Sequence, residues 1–188
     1  MATNQDTKVV TNKVRLSYCH LFEPHAAEGN EPKYSCTILV PKSDTETLTK
    51  IKNAVNAAKV AGVKLLGDKS GTIPKSVKTT VHDGDGEKPN GGEYSDECKG
   101  HYVINCSSKQ KPGIVDKFCK EILDSTQVYS GCFGKVSINF YAYATSGNKG
   151  VACGLNNVQK LADGEYLGGR SRAEDDFGAI VEDDDPLC

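Results

Sequence analysis

The sequence predicts a mainly β fold, α+β by content: a five-stranded antiparallel barrel with one long inserted helix and long loops. Three observations predict it. Several short segments alternate apolar and polar residues with the period of two that marks half-buried strands. A single long segment carries helical spacing behind a capping signal. The connections between them are rich in glycine and proline, the residues that end regular structure. With 188 residues the chain has the length of about one domain.

In chain order, residues 1–12 are polar and are expected to form a flexible N-terminus. Residues 13–22 alternate, with Val14, Leu16, Tyr18, His20 and Phe22 on one face and Arg15, Ser17, Cys19 and Leu21 on the other, which predicts a strand. Residues 23–32 hold Pro24, Gly29 and Pro32 and read as a loop. Residues 33–40, rich in β-branched and aromatic side chains, form a second strand stopped by Pro41. The capping box Ser43-x-x-Glu46, followed by Leu48, Ile51, Val55 and Ala58, predicts a helix over 44–61 that ends near Gly62. Residues 67–100 read as a long loop.

Residues 101–106 are a third strand, and 116–123 have the pattern of a short helix. Residues 134–144 alternate strongly, Val136, Ile138, Phe140 and Ala142 against Ser137, Asn139, Tyr141 and Tyr143. Residues 146–150 have the composition of a hairpin turn, and 151–158 form the return strand. Short strands with long connections and one helix suit a barrel of the OB type. An α+β sandwich of the same elements is the alternative. The domain is expected to span 13–172, followed by an acidic disordered tail over 173–188.

Charge is segregated along the chain. The net charge is −2, yet residues 173–188 carry seven acids and no base, which leaves 18 acids against 23 bases in residues 1–172, about +5. A second acidic stretch, 82–97, holds six acids and one lysine among glycines and reads as a surface loop. A basic body with an acidic tail points to a polyanion-binding surface and a separate interaction segment. The apolar runs are only a few residues long, far short of the ~20 of a membrane helix. The start, MATNQDTK, has no basic, apolar leader, so a cytoplasmic location with reduced thiols is expected.

No chemistry of catalysis stands out. The eight cysteines include no C-x-x-C pair, the spacing that closes a zinc tetrahedron, so most are expected to pack as small hydrophobes. Gly62-x-x-x-x-Gly67 continues into Asp68-Lys69-Ser70, where a phosphate loop needs Lys-Ser directly. Asp83-x-Asp85-x-Glu87 begins like a calcium loop, but Lys88 takes the glycine position and Tyr94 that of the bidentate glutamate. Neither a nucleophile elbow nor an H-E-x-x-H helix occurs. The expectation is a non-enzyme with no cofactor and no metal.

What the strands do carry is tyrosine and lysine. Proteins that bind single strands need cations along the phosphates and aromatic faces on which bases stack, at ~1–3 kcal/mol each. The candidates on strands or their ends are Arg15, Tyr18, Lys33, Tyr34, Tyr102, Lys109, Lys111, Lys135, Tyr141, Tyr143 and Lys149. Tyr141 and Tyr143 lead, because they share the polar face of their strand.

Five runs carry a resemblance: residues 15–24 (RLSYCHLFEP), 31–42 (EPKYSCTILVPK), 131–143 (GCFGKVSINFYAY), 150–160 (GVACGLNNVQK) and 167–177 (LGGRSRAEDDF). Over about 8–177 the chain resembles a phage and prophage family of OB-fold single-stranded DNA-binding proteins. The resemblance implies a phage- or prophage-encoded protein that coats single-stranded DNA in replication and recombination inside the bacterial host. It leaves a homodimer open. An RNA-binding OB module and a phage assembly protein are the alternatives.

Residues 182–188 (EDDDPLC) are similar to the acidic tips with which single-strand binders recruit replication proteins. Those tips end in an aromatic, whereas here the end is Leu187-Cys188 and the aromatic, Phe177, stands upstream. The tail candidates for partner binding are Asp175, Asp176, Phe177, Glu182, Asp183, Asp184 and Asp185.

Overall fold

The computed structural model describes residues 6–26, 28–75, 77–145, 147–167 and 177. Among them are nine strands: β1 (Lys8–Val10), β2 (Val14–His25), β3 (Lys33–Pro41), β4 (Lys78–Thr79), β5 (Val81–Asp83), β6 (His101–Ser108), β7 (Gly113–Val115), β8 (Phe133–Thr145) and β9 (Asn148–Ala162). Two helices, α1 (Thr45–Ala61) and α2 (Val63–Leu66), lie between β3 and β4. Pairing follows the order β1-β8-β2-β3-β6-β9-β4, and β9 also pairs with β8. The long strands β8, β2, β3, β6 and β9 therefore form a circuit of pairings that returns to its start.

The expected all-antiparallel arrangement is corrected. β9 runs parallel to β4, to β6 at Ser107↔Gly154 and to β7. These contacts join segments far apart in sequence, where no hairpin dictates direction. The N-terminus is corrected as well: β1 pairs with β8, Val9 is buried, and the Thr11 hydroxyl accepts the Val136 N–H at 3.0 Å. A third correction falls on 116–123. One carboxylate oxygen of Asp116 accepts the N–H groups of Phe118 and Lys120 at 2.8 and 3.0 Å, and Cys119 takes φ 60°. That local capture of N–H groups competes with a helix, and a turn forms instead.

The long helix is where its apolar spacing puts it. Its cap is Asp44, not Ser43: the Asp44 carboxylate accepts the Thr47 N–H and the Asn12 side-chain N–H, both at 3.1 Å. Burial opposes ionisation of Asp44, but these hydrogen bonds outweigh it and hold its pKa below the ordinary value. Ile51, Ala54, Val55 and Ala58 join one core with the inner residues of the strands, among them Leu16, Ile38, Ile104, Val136, Ile138, Phe140 and Leu155. At Gly62, where α1 ends, an added Cβ would collide with the Ala142 side chain on β8, so only glycine lets helix and sheet approach this closely. The short α2 occupies the space between Gly62 and Gly67, and no phosphate loop forms there.

Burial along β8 alternates as the sequence predicts, with Val136, Ile138 and Phe140 inside and Lys135 and Tyr141 outside. The hairpin to β9 is tighter than the composition suggests: Thr145 pairs with Asn148, and Gly147 takes φ 84°. β2 behaves differently. Its pairing with β3 slips between Ser17 and His20, and Tyr18 sits at φ 47°. The bulge flips the alternation, so Leu21 is buried while Tyr18 faces out.

The loop 67–100 contains β4, β5 and a 3-10 turn, Asp96–Cys98. Lys42 Nζ lies 2.7 Å from both Asp83 Oδ1 and Asp85 Oδ2, and the other Asp85 oxygen accepts the Gly100 N–H. The acidic stretch thus clips its own loop to the end of β3. Cys36, Cys106, Cys132 and Cys153 pack in the core as small hydrophobes, and Cys98 packs with Leu39 and Val103 in a second cluster. No helix of the described residues is long and apolar enough to cross a membrane.

Candidate nucleic-acid interface

Strand parity creates the surface. On β3 the residues Cys36 and Ile38 turn to the core, so Ser35 and Thr37 lie on the outer side. On β6, Ile104 and Cys106 do the same and leave Asn105 and Ser107 outside. At one end the outer side is covered, because Leu39 and Val103 pack with Cys98, Tyr94 and Leu167. Beyond them it is open, and a groove of about 380 Å³ runs over Ser35, Thr37, Asn105, Ser107 and Ala152, with Tyr18 on its wall.

The groove continues both ways. Through Thr80 and Ala152 it joins a hollow lined by Lys78, His82 and Tyr143. Through Ser35 and Ser107 it joins another lined by His25, Glu31, Lys33 and Lys109. Tyr141 pairs with Ala152 across the β8–β9 ladder, beside the groove, and is 44% exposed. Tyr18 is 69% exposed, and its N–H donates to the Ser130 hydroxyl at 3.3 Å, which fixes the bulge.

The floor is neutral and hydrogen-bonding. The Thr37 hydroxyl donates to Asn105 Oδ1 at 2.8 Å, and the Thr80 hydroxyl donates to the Asn105 carbonyl at 2.7 Å. Asn105 is held on both sides, and its amide N–H groups remain to meet a ligand. Away from the groove, the hydrogen bond with Cys36, then burial, push the Cys19 thiol far above its ordinary value, and burial pushes Cys132 up to about 11. Lys109 lies 3.1 Å from Glu31 with both side chains mostly exposed, an ion pair worth little and readily exchanged for a phosphate.

The structure thus gathers Tyr18, Lys33, Lys109, Tyr141 and Tyr143 around one groove, with Lys149 on the adjacent hairpin. Other sequence candidates lie elsewhere. Arg15 donates to the carbonyls of Gly131 and Glu165 at 3.3 and 2.9 Å and lies over the Phe133 ring, clamping the segment after β9. Tyr102 shares the inner parity of Ile104 and lines a cleft beside α1, under Lys42. Tyr34 shares the parity of Cys36, Lys111 covers the Phe22 ring, and Lys135 is exposed opposite Gln159. Phe177 is exposed; Asp175, Asp176, Glu182, Asp183, Asp184 and Asp185 lie outside the described residues.

Sequence reasoning missed Ser35, Thr37, Lys78, Thr80, Asn105 and Ser107. For the β3 and β6 members the signal was present, since they alternate with Cys36, Ile38, Ile104 and Cys106. Among the described residues no cluster of three or more His, Cys, Asp or Glu could hold a metal ion. Stacking faces, a neutral amide and hydroxyl floor and cations at both ends suit a flexible polyanion with flat bases.

The family described as "Enterobacter phage Enc34, ssDNA-binding protein" matches residues 7–187, and the chain belongs to this family. A relative named putative protein p50, from Acyrthosiphon pisum secondary endosymbiont phage 1, is 30% identical over 197 residues, covering 96% of this chain and 99% of its own. Among solved structures, the single-stranded DNA-binding protein from bacteriophage Enc34 in complex with ssDNA superposes with a TM-score of 0.69 at 27% identity, over 86% of this chain and 90% of that one. The single-stranded DNA-binding protein gp2.5 of bacteriophage T7 shares the fold at 13% identity, with a TM-score of 0.59 over 88% of this chain and 97% of that one.

Proposed function

We propose that this protein binds single-stranded DNA along the groove, without sequence preference, and coats it during phage replication and recombination. The circuit of five long strands is then an OB-type barrel whose outer face carries the strand. One observation carries the reading: exposed Tyr18 on the groove wall, exposed Tyr141 beside it across the ladder from Ala152, and Tyr143 in the adjoining hollow flank a neutral floor that ends in lysines on both sides. Every base offers a face to a tyrosine, so stacking on these rings discriminates little among sequences. The groove needs no nucleophile or metal for this, and the function is binding, not turnover.

Titration with oligo-dT at several salt concentrations tests the reading. With about four to six lysines and arginines on phosphates, log K falls against log salt with a slope of about −3 to −4. Duplex and RNA of the same length bind more weakly. A flat salt response, or duplex bound as tightly as oligo-dT, contradicts it.

The acidic tail supplies the second part of the proposal. Seven acids in residues 173–188 are tethered to the basic body, at an effective concentration in the ~mM range. Tail and DNA are then alternative ligands of the lysines at the ends of the groove. DNA displaces the tail, which becomes free to recruit replication proteins. Truncation after Arg172 tightens oligo-dT binding, more at low salt than at high, and abolishes that recruitment. Unchanged affinity of the truncated protein at low salt contradicts the competition.

A further inference from the structure

The groove does not stop at Lys33 and Lys109. His25 lines that end, and its ring stacks on His20 with centroids 4.3 Å apart and planes 11° from parallel. Residues five apart on a regular strand face opposite sides. Here the pairing of β2 with β3 slips between Ser17 and His20 and again between His20 and His25, and the two rings meet. On its far side His20 lines a separate cleft of about 510 Å³, with Phe22, Glu23, Lys111 and Leu123 among its walls. The two hollows share the imidazole stack as their common border.

We propose that the bound strand crosses the His20–His25 stack and places its next nucleotide in this second cleft, with the base against Phe22 and the phosphate on Lys111. The inference rests on the reading of the groove as a single-strand site and extends it by a subsite. Phe22 packs against the core and Lys111 Nζ lies over its ring, 5.6 Å from the centre, so the bound strand draws Lys111 onto its phosphate and the base takes the ring face the lysine leaves. Leu123, 79% exposed, adds apolar surface that has no protein partner to justify it in the core. Burial, then the charge of His25, lowers the pKa of His20. Glu23, exposed in the lining, opposes a phosphate and is outweighed only while Lys111 is present.

Oligo-dT of about 6 and about 16 nucleotides, within the range of site sizes seen for one such domain, separates the subsite from the main groove. Fluorescence anisotropy of the full chain gives both affinities. Lys111→Ala combined with Phe22→Leu weakens the 16-mer about tenfold more than the 6-mer, the loss of one stacked nucleotide. Glu23→Gln, a surface change that leaves packing alone, tightens the 16-mer more than the 6-mer and serves if the double variant misfolds. If neither variant separates the two lengths while the wild type binds both, the subsite is overturned and the groove stands. If the wild type binds neither length, the single-strand reading falls, and the subsite with it.

Discussion

Replacing Tyr141 and Tyr143 together by alanine lowers oligo-dT affinity by about 2–6 kcal/mol, at least about thirtyfold, while the melting temperature barely moves. The magnitude is that of two lost base stacks at ~1–3 kcal/mol each. Both rings stand on the outer parity of β8, opposite Val136, Ile138 and Phe140, so their removal opens no cavity in the core. Tyr141 lies across the ladder from Ala152, a small residue that leaves its ring open, and the half-buried Tyr143 ring lies over Gly150 at the rim of the adjoining hollow. Calorimetry of binding and thermal melts on the same samples check the result. Loss of stability with unchanged affinity per folded molecule would make these tyrosines structural and contradict the assignment.

Phe140→Ala gives the opposite phenotype. Phe140 is 1% exposed, pairs with Cys153 and lies in the core shared with α1. Truncation of a buried phenylalanine costs about 3–5 kcal/mol, the transfer free energy plus the cavity left behind. That is a large part of the ~5–15 kcal/mol that holds a domain folded. Urea denaturation shows the loss as a lower midpoint, and the molecules that remain folded bind oligo-dT as the wild type does. A cost below about 1 kcal/mol would place Phe140 outside the core. Neighbouring residues, 140 and 141, thus separate folding from binding on one strand.

Part of this arrangement is legible in the sequence. Regular alternation in 134–144 placed Tyr141 and Tyr143 outside, and β8 keeps that alternation along its buried length. The helix over 44–61 was legible for the same reason, its apolar spacing being local. Tyr102 and Tyr34 fail as groove residues by the same parity rule, because each alternates in step with core residues of its own strand. Tyr18 reached the groove by a route no periodicity contains: a bulge at φ 47° turned it outward. The stacked histidines depend on slips in the same strand. Arg15 was a cation at a strand, but the carbonyls that occupy it belong to Gly131 and Glu165, more than a hundred positions away. The parallel pairings of β9 are likewise long-range, set by packing around the core.

Photo-crosslinking of a halogenated oligo-dU, with the attachment sites mapped by mass spectrometry, tests most directly that the strand lies in this groove. The arrangement predicts crosslinks at Tyr18, Tyr141 and Tyr143, lost in competition with unlabelled oligo-dT. Crosslinks concentrated instead at Tyr102 and the cleft beside α1 would contradict it.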